Sequence, residues 1–213
     1  MSPEKQIPLE WVKEVVIYFG KLGFFNGSKG EDDSVQYLAK IADPYSMFPG
    51  TNIGFLPEQE FLRLDKSRIW CEDSEADFVE GDYWYIRTLL DWSRISRACF
   101  QPQNLSEVWL PSRPADPPHP EYQETPIQVS FALGDKRWSF ELLERGGWID
   151  STVIKKVNEA IHHTGFQFAC VVPPNDDQAT YICCLTMAEV QKLKDERGWQ
   201  FHDEFFCTDS LLD

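Results

Sequence analysis

The chain has 213 residues, 42% hydrophobic and 14% aromatic, a globular composition long enough to bury a core. Its 35 acidic residues against 20 basic ones give a formal net charge of −15. A field of that sign repels phosphate backbones and anionic lipid surfaces and steers basic partners, so ordinary nucleic-acid and membrane-surface binding are disfavoured.

The first element expected is an amphipathic helix. Leu9, Val12, Val16 and Phe19 recur at helical spacing, and Gly20 or Gly23 ends the pattern. A polar loop, Asn26 to Asp33, leads to a shorter helical pattern with Val35, Leu38, Ala39 and Ile41, stopped by Asp43-Pro44. Ser67 to Cys71 suits a short strand. Tyr83 to Ala98 suits a helix with Ile86, Leu89, Leu90 and Ile95 on its apolar side, Trp84 and Trp92 near its flanks, and Asp82 as N-cap.

Six of the 14 prolines fall between Pro111 and Pro126. Such a run is extended and lacks donors, so it reads as a linker or surface strap rather than a central strand. It separates a mainly helical half, residues 1–110, from a half at residues 127–213, the two expected to pack as one composite unit. In the second half Ile127, Val129, Phe131 and Leu133 alternate with polar or small residues as a strand with one buried face should. Gly134-Asp135 turns the chain, and Trp138, Phe140 and Leu142 alternate on the return. Gly146-Gly147 breaks that strand. Asp150 can cap a helix carrying Val153, Ile154, Val157 and Ile161, closed near Gly165. Phe166, Phe168, Cys170 and Val172 mark a third strand. After a loop at Pro173 to Asp177 comes a fourth, with Tyr181, Cys183 and Leu185 on one side and Ile182 and Cys184 on the other. Thr186 and Glu189 form a capping box for a last helix. The expected fold is α+β: a helical N-terminal half and a C-terminal β-β-α-β-β-α half, mostly an antiparallel sheet with helices on one face.

No motif assigns a catalytic residue, a cofactor site or a metal site. The six cysteines, Cys71, Cys99, Cys170, Cys183, Cys184 and Cys207, form no CxxC or CxC pair. Met1 to Pro8 carries no apolar run, so reduced thiols in the cytoplasm are the simplest expectation. Cys183 and Cys184 are adjacent on a strand and read as buried apolar residues. His119, His162, His163 and His202 make no HxH or HExxH pattern. Asp73, Glu75 and Asp77 alternate like the start of a calcium loop, but Phe78 stands where glycine is needed and Trp84 where the bidentate glutamate is needed. No nucleophile elbow or phosphate-binding glycine loop is present. Glu141, Glu144 and Asp150 are the nearest to a strand-end carboxylate cluster, the basis of an alternative reading as a hydrolase.

Glu72, Asp73, Glu75, Asp77, Glu80 and Asp82 crowd into eleven residues bracketed by Trp70 and by Tyr83, Trp84 and Tyr85. Carboxylates that steer and aromatics that supply contact area suit a surface for Lys and Arg, with Trp84 joining the six acids as the partner-binding set. The competing reading is a solvated loop whose aromatics turn inward.

The chain as a whole resembles the cytoplasmic immunity proteins of bacterial toxin systems, which are small, acidic, motif-poor and α+β. Tyr85 to Trp109 and Trp148 to Trp199 look like segments of bacterial proteins of this sort. The resemblance implies no enzymatic activity. It implies stoichiometric inhibition of a basic protein partner, a toxin domain whose active site or groove is covered by the acidic, aromatic surface. A nucleic-acid mimic and a subunit of a larger assembly remain as rivals.

Overall fold

The computed structural model describes residues 9–25, 58–62, 64–73, 81–114, 123–144, 150–172 and 179–207. The expected loop at Asn26 to Asp33, the helix at Val35 to Ile41, the Gly146-Gly147 break and the Pro173 to Asp177 loop lie outside the described residues. The chain divides into two compact units, Met1–Ile69 and Trp70–Asp213.

In the first unit, helix α1 (Leu9–Gly20) buries Val12, Val15, Val16 and Phe19, the face its spacing predicts. Phe24 meets Phe19 edge to face, with ring centroids 5.6 Å apart. A short helix, α2 (Glu58–Leu62), is followed by a turn in which two buried charges tie distant segments together. Asp65 accepts the backbone N–H of Phe25 and both the N–H and hydroxyl of Ser67. Arg68 donates to the Gly23 carbonyl at 2.8 Å and lies over the Phe24 ring at 4.6 Å.

The second unit holds two antiparallel sheets, where the sequence suggested one. Its elements are β1 (Ile69–Asp73), α3 (Trp84–Ile95), β2 (Gln103–Trp109), β3 (Arg113–Pro114), β4 (Gln123–Leu133), β5 (Lys136–Glu144), α4 (Thr152–Ile161), β6 (Phe166–Val171), β7 (Ala179–Thr186) and α5 (Met187–Arg197). In the first sheet β4 is central, with β5 on one edge and β2 and then β3 along the other. The second sheet has the order β1-β7-β6. The coarse class is α+β. Residues 1–110, expected to be mainly helical, also supply β1 and β2.

The proline-rich run does not behave as a strap throughout. Arg113 and Pro114 pair with Glu124 and Gln123, and Pro126 lies within central strand β4. Pro126 is tolerated because its missing N–H faces the gap between β2 and β3, while its carbonyl on that side accepts the Leu110 N–H at 2.9 Å. Pro117, Pro118 and Pro120 lie outside the described residues.

The β4–β5 hairpin follows its alternation. Ile127, Val129, Phe131 and Leu142 are fully buried, and Gly134 takes a positive φ of 58° in the two-residue turn. The β6–β7 hairpin does not alternate. Gln167, Ala169 and Val171 are buried as fully as Phe168 and Cys170, and Tyr181 to Leu185 are buried without a break. This sheet is therefore covered on both faces. Strands covered on both sides read as continuous apolar runs.

One core joins residues on both sides of the proline-rich run: Tyr85, Leu89 and Trp92 of α3, Val153, Val157 and Ile161 of α4, Val129 and Phe131 of β4, and Phe168 and Cys184 of the second sheet. Phe100 links the two sheets, with its ring 5.4 Å from Phe131 and 5.8 Å from Phe168. On α3 the buried set is Tyr85, Thr88, Leu89, Trp92 and Ile95, while Leu90 is exposed, so the apolar face is rotated from the one expected. Bulk explains the shift: Tyr85 and Trp92 bury more area than Ile86 and Leu90 would. Among the described residues no helix is long and apolar enough to cross a membrane.

Candidate functional site

The acidic stretch begins on β1 and ends at the start of α3. Glu72 is exposed on β1, and Asp73 closes that strand. Glu75, Asp77 and Glu80 lie outside the described residues. The described segment resumes with Gly81, whose φ is 96°, and exposed Asp82. Tyr83 follows with a left-handed φ of 51° and its side chain 56% exposed. The remaining aromatics turn inward. Trp70 is buried, Tyr85 is fully buried, and Trp84 is half-buried, edge to face with Trp70 at 6.3 Å. The structure therefore splits the expected surface, leaving Glu72, Asp82 and Tyr83 at solvent with Trp84 at their margin. Positive φ is uncommon and costly for a tyrosine.

Asp82 does not cap α3. The N-cap position is Tyr83, and its side chain makes no capping bond. The capping carboxylate comes from Glu107, on the core-facing side of β2 opposite Val129. Its Oε2 accepts the Ile86 N–H at 3.2 Å, and its Oε1 accepts the Trp109 indole N–H at 2.9 Å. A carboxylate at that place completes an orphan donor and meets the positive end of the helix dipole. Sequence reasoning missed it because the donor and acceptor are 21 residues apart.

Of the three carboxylates proposed as a strand-end cluster, Asp150 is fully engaged. Its Oδ2 accepts the Leu143 N–H, its Oδ1 accepts the N–H and hydroxyl of Thr152, and its own N–H donates to the Tyr85 hydroxyl at 3.0 Å. Ser151 holds the formal N-cap position of α4, so the cap comes from one residue further back. Glu141 is exposed and pairs with Arg113 at 3.1 Å. Burial, with the negative charges of Asp150, Glu107 and Glu144 adding to it, pushes the Tyr85 hydroxyl above its ordinary pKa. Tyr85 is thus a neutral hydrogen-bonding post. Among the described residues no group of three or more His, Cys, Asp or Glu is placed to hold a metal ion.

The Thr186–Glu189 capping box forms as the sequence predicts: Glu189 N–H donates to Thr186 Oγ1 at 3.2 Å and Thr186 N–H donates to Glu189 Oε2 at 2.8 Å. Both oxygens of the same carboxylate accept from one guanidinium nitrogen of Arg97, each at 2.7 Å. Burial acts to raise the Glu189 pKa, but the Thr186 N–H and the Arg97 guanidinium outweigh it and hold the carboxyl below its ordinary value. A second unforeseen post is Asn158, fully buried on α4. Its Nδ2 donates to the carbonyls of Phe168 and Phe205 at 3.0 and 2.9 Å, and its Oδ1 accepts the Phe168 N–H at 2.6 Å. No protein-family model matches the chain, and neither a curated protein nor a solved structure matches it.

Proposed function

We propose that this chain is an acidic cytoplasmic binding protein that neutralises a cognate basic protein by stoichiometric binding, as an immunity protein does a toxin. The observation that carries the reading is the shoulder at Gly81–Trp84. There an exposed acid and a 56%-exposed tyrosine stand at the edge of a chain of net charge −15. Such a surface steers a cationic partner at long range, and the tyrosine supplies apolar contact at close range. The Tyr83 carbonyl accepts the Arg87 N–H at 3.0 Å, which ties the tyrosine's backbone to the first turn of α3. Other support is indirect: the buried carboxylate of Glu107 and the half-buried one of Asp150 are spent on backbone, hydroxyl and indole donors, so neither adds to the charge that faces solvent. A carboxylate hydrolase built on Glu141, Glu144 and Asp150 is the weaker reading, because Asp150 is saturated by its own fold.

The test is co-purification of the tagged chain with its partner from the native cell, at low and then high salt. It is followed by reconstitution of the purified pair. The reading expects one basic partner in equal proportion, and suppression of that partner's toxicity when the two are co-expressed. A partner whose activity is unchanged by a saturating amount of this chain would sink it.

A further inference from the structure

Cys99 and Cys184 lie 85 residues apart in sequence, yet their Sγ atoms stand 3.5 Å apart. Cys184 is fully buried on β7, and its Sγ lies 3.4 Å from the Ser96 carbonyl, so its one proton has that oxygen and the Cys99 sulfur as alternative acceptors. Cys99 is half-buried in the turn that follows α3. That turn is strained. Arg97 and Ala98 are consecutive non-glycine residues at φ 56° and 66°, a conformation that a Cβ disfavours. It is also pinned. Arg97 grips Glu189 through both carboxylate oxygens and lies over the Phe166 ring at 4.6 Å, while the Ser96 hydroxyl bonds the carbonyls of Ser93 and Phe100. Strain held in place by several contacts points to a use for the position it enforces, and that position sets one sulfur against another.

We propose that Cys99 and Cys184 are a peroxide-reactive thiol pair that closes to a disulfide between the turn after α3 and strand β7. The Cys99 pKa is lowered chiefly by the hydrogen bond from Cys184, against burial, with the Thr164 hydroxyl and the Arg97 charge also favouring the thiolate. The Cys184 pKa is raised, first by that hydrogen bond and then by burial. Cys99 is therefore the attacking sulfur and Cys184 the resolving one. The Cys99 thiolate attacks one oxygen of a hydroperoxide, the O–O bond breaks, and the departing hydroxide or alkoxide takes a proton to leave as water or alcohol. Cys99 is now a sulfenic acid. Cys184 sulfur then attacks Cys99 sulfur, the S–O bond breaks, and water leaves with the Cys184 proton. Two thiols have been oxidised and one peroxide reduced. Closing from 3.5 Å to a bond of about 2.05 Å takes a movement of about 1.5 Å, within reach of a half-buried side chain on a turn. Cys170, by contrast, is pushed up to about 12 by burial and stays a protonated thiol.

The test treats the full chain with equimolar hydrogen peroxide and maps its peptides by mass without reduction. Two of the six cysteines should be lost together, as one cross-linked peptide pair carrying Cys99 and Cys184, restored by dithiothreitol. Cys99→Ser should abolish the loss of both thiols. Cys184→Ser should leave a sulfenic acid on Cys99 that dimedone traps. A cross-link between other cysteines, or oxidation of Cys71 or Cys207 while Cys99 stays reduced, overturns the proposal. Mapping of the unsubstituted chain decides the matter even if a variant does not fold. The result is read on the free chain and is independent of any partner.

Discussion

Asn158 offers the sharpest quantitative test of how the second unit is held together. Its amide behaves as a strand residue set sideways on a helix: it fills the outer edge of β6 at Phe168, donating and accepting there as a neighbouring strand would. Further along the same edge the chain end takes over. Val172 N–H donates to the Gln200 carbonyl at 2.9 Å and His202 N–H donates to the Cys170 carbonyl at 3.0 Å. Replacing Asn158 by leucine keeps the branching at Cγ, adds some bulk and removes every polar contact. The Phe168 N–H and carbonyl then lose their partner in fully buried surroundings, and the Phe205 carbonyl loses its partner in half-buried ones. At roughly 1–3 kcal/mol for each unmet buried group, with carbonyls at the low end, the loss is about 3–6 kcal/mol. Against a total stability of about 5–15 kcal/mol that is a large fraction. The urea midpoint, read by tryptophan fluorescence, should fall by about 1–3 M for a slope near 2–3 kcal/mol/M. Asn158→Asp separates the roles. A carboxylate can still accept from Phe168 N–H but aims its other oxygen at two carbonyls, so this variant should be as weak as the leucine one at pH 7. It should recover partly in acid, where the protonated form can donate one bond. An Asn158→Leu variant within about 1 kcal/mol of the original, or an Asn158→Asp variant of full stability at pH 7, would refute the account.

Glu107→Gln keeps one acceptor oxygen for two donors, so either Ile86 N–H or the Trp109 indole is left unmet. Thermal unfolding should show a loss of about 1–2 kcal/mol, and hydrogen exchange should quicken in the first turn of α3. Glu189 has a depressed folded pKa, so its stabilising effect is present above the unfolded value of about 4.3 and is lost as pH falls through the lower folded value. Glu189→Gln should therefore cost about 1 kcal/mol at pH 7 and converge with the original chain in acid below that range; a gap that widens on acidification would contradict the sign. Tyr83→Ala should leave the unfolding midpoint within about 0.5 kcal/mol, since the side chain is 56% exposed, yet weaken partner binding at least about tenfold by titration.

Much of the fold was legible because its signals are local. The α1 stripe, the β4–β5 alternation and the Thr186–Glu189 box each sit within one element, where spacing alone fixes which residues share a face. Spacing puts Leu90 on the apolar side of α3 and leaves Tyr85 unassigned, because the apolar arc of a helix is free to rotate by a residue and the choice falls to the bulkiest side chains. On β6 the alternation of Phe166, Phe168, Cys170 and Val172 marks the strand but not a single buried face, since Gln167, Ala169 and Val171 between them are buried as well. Pro126 looked like a barrier to a central strand, but one strand has two edges, and only the pairing partner reveals that its donorless side meets a gap. Asn158 could not be found at all: a polar residue on an apolar helix face is recognisable as a post only once Phe168 and Phe205 are brought beside it.

The same argument bears on the acidic residues, whose number misled in both directions. Sequence counting treats all 35 as available charge. In the folded second unit, Glu107 is a helix cap and Asp150 is a junction between β5 and α4. Glu124, buried in β4, has Arg113 at 3.9 Å. Glu189 caps α5 and holds Arg97 at once. Glu107, Asp150 and Glu189 act at hydrogen-bond range on a few fixed donors each, so they specify where α3, α4 and α5 begin. The steering field that a basic partner would feel comes from the acids that remain at the surface, Glu72 and Asp82 among them. Charge reversal at Asp82 should therefore slow association and flatten its salt dependence while leaving stability alone, whereas removal of Glu107 should do the opposite. The two variants distinguish acids that recognise from acids that build, a distinction that net charge cannot make and that burial makes directly.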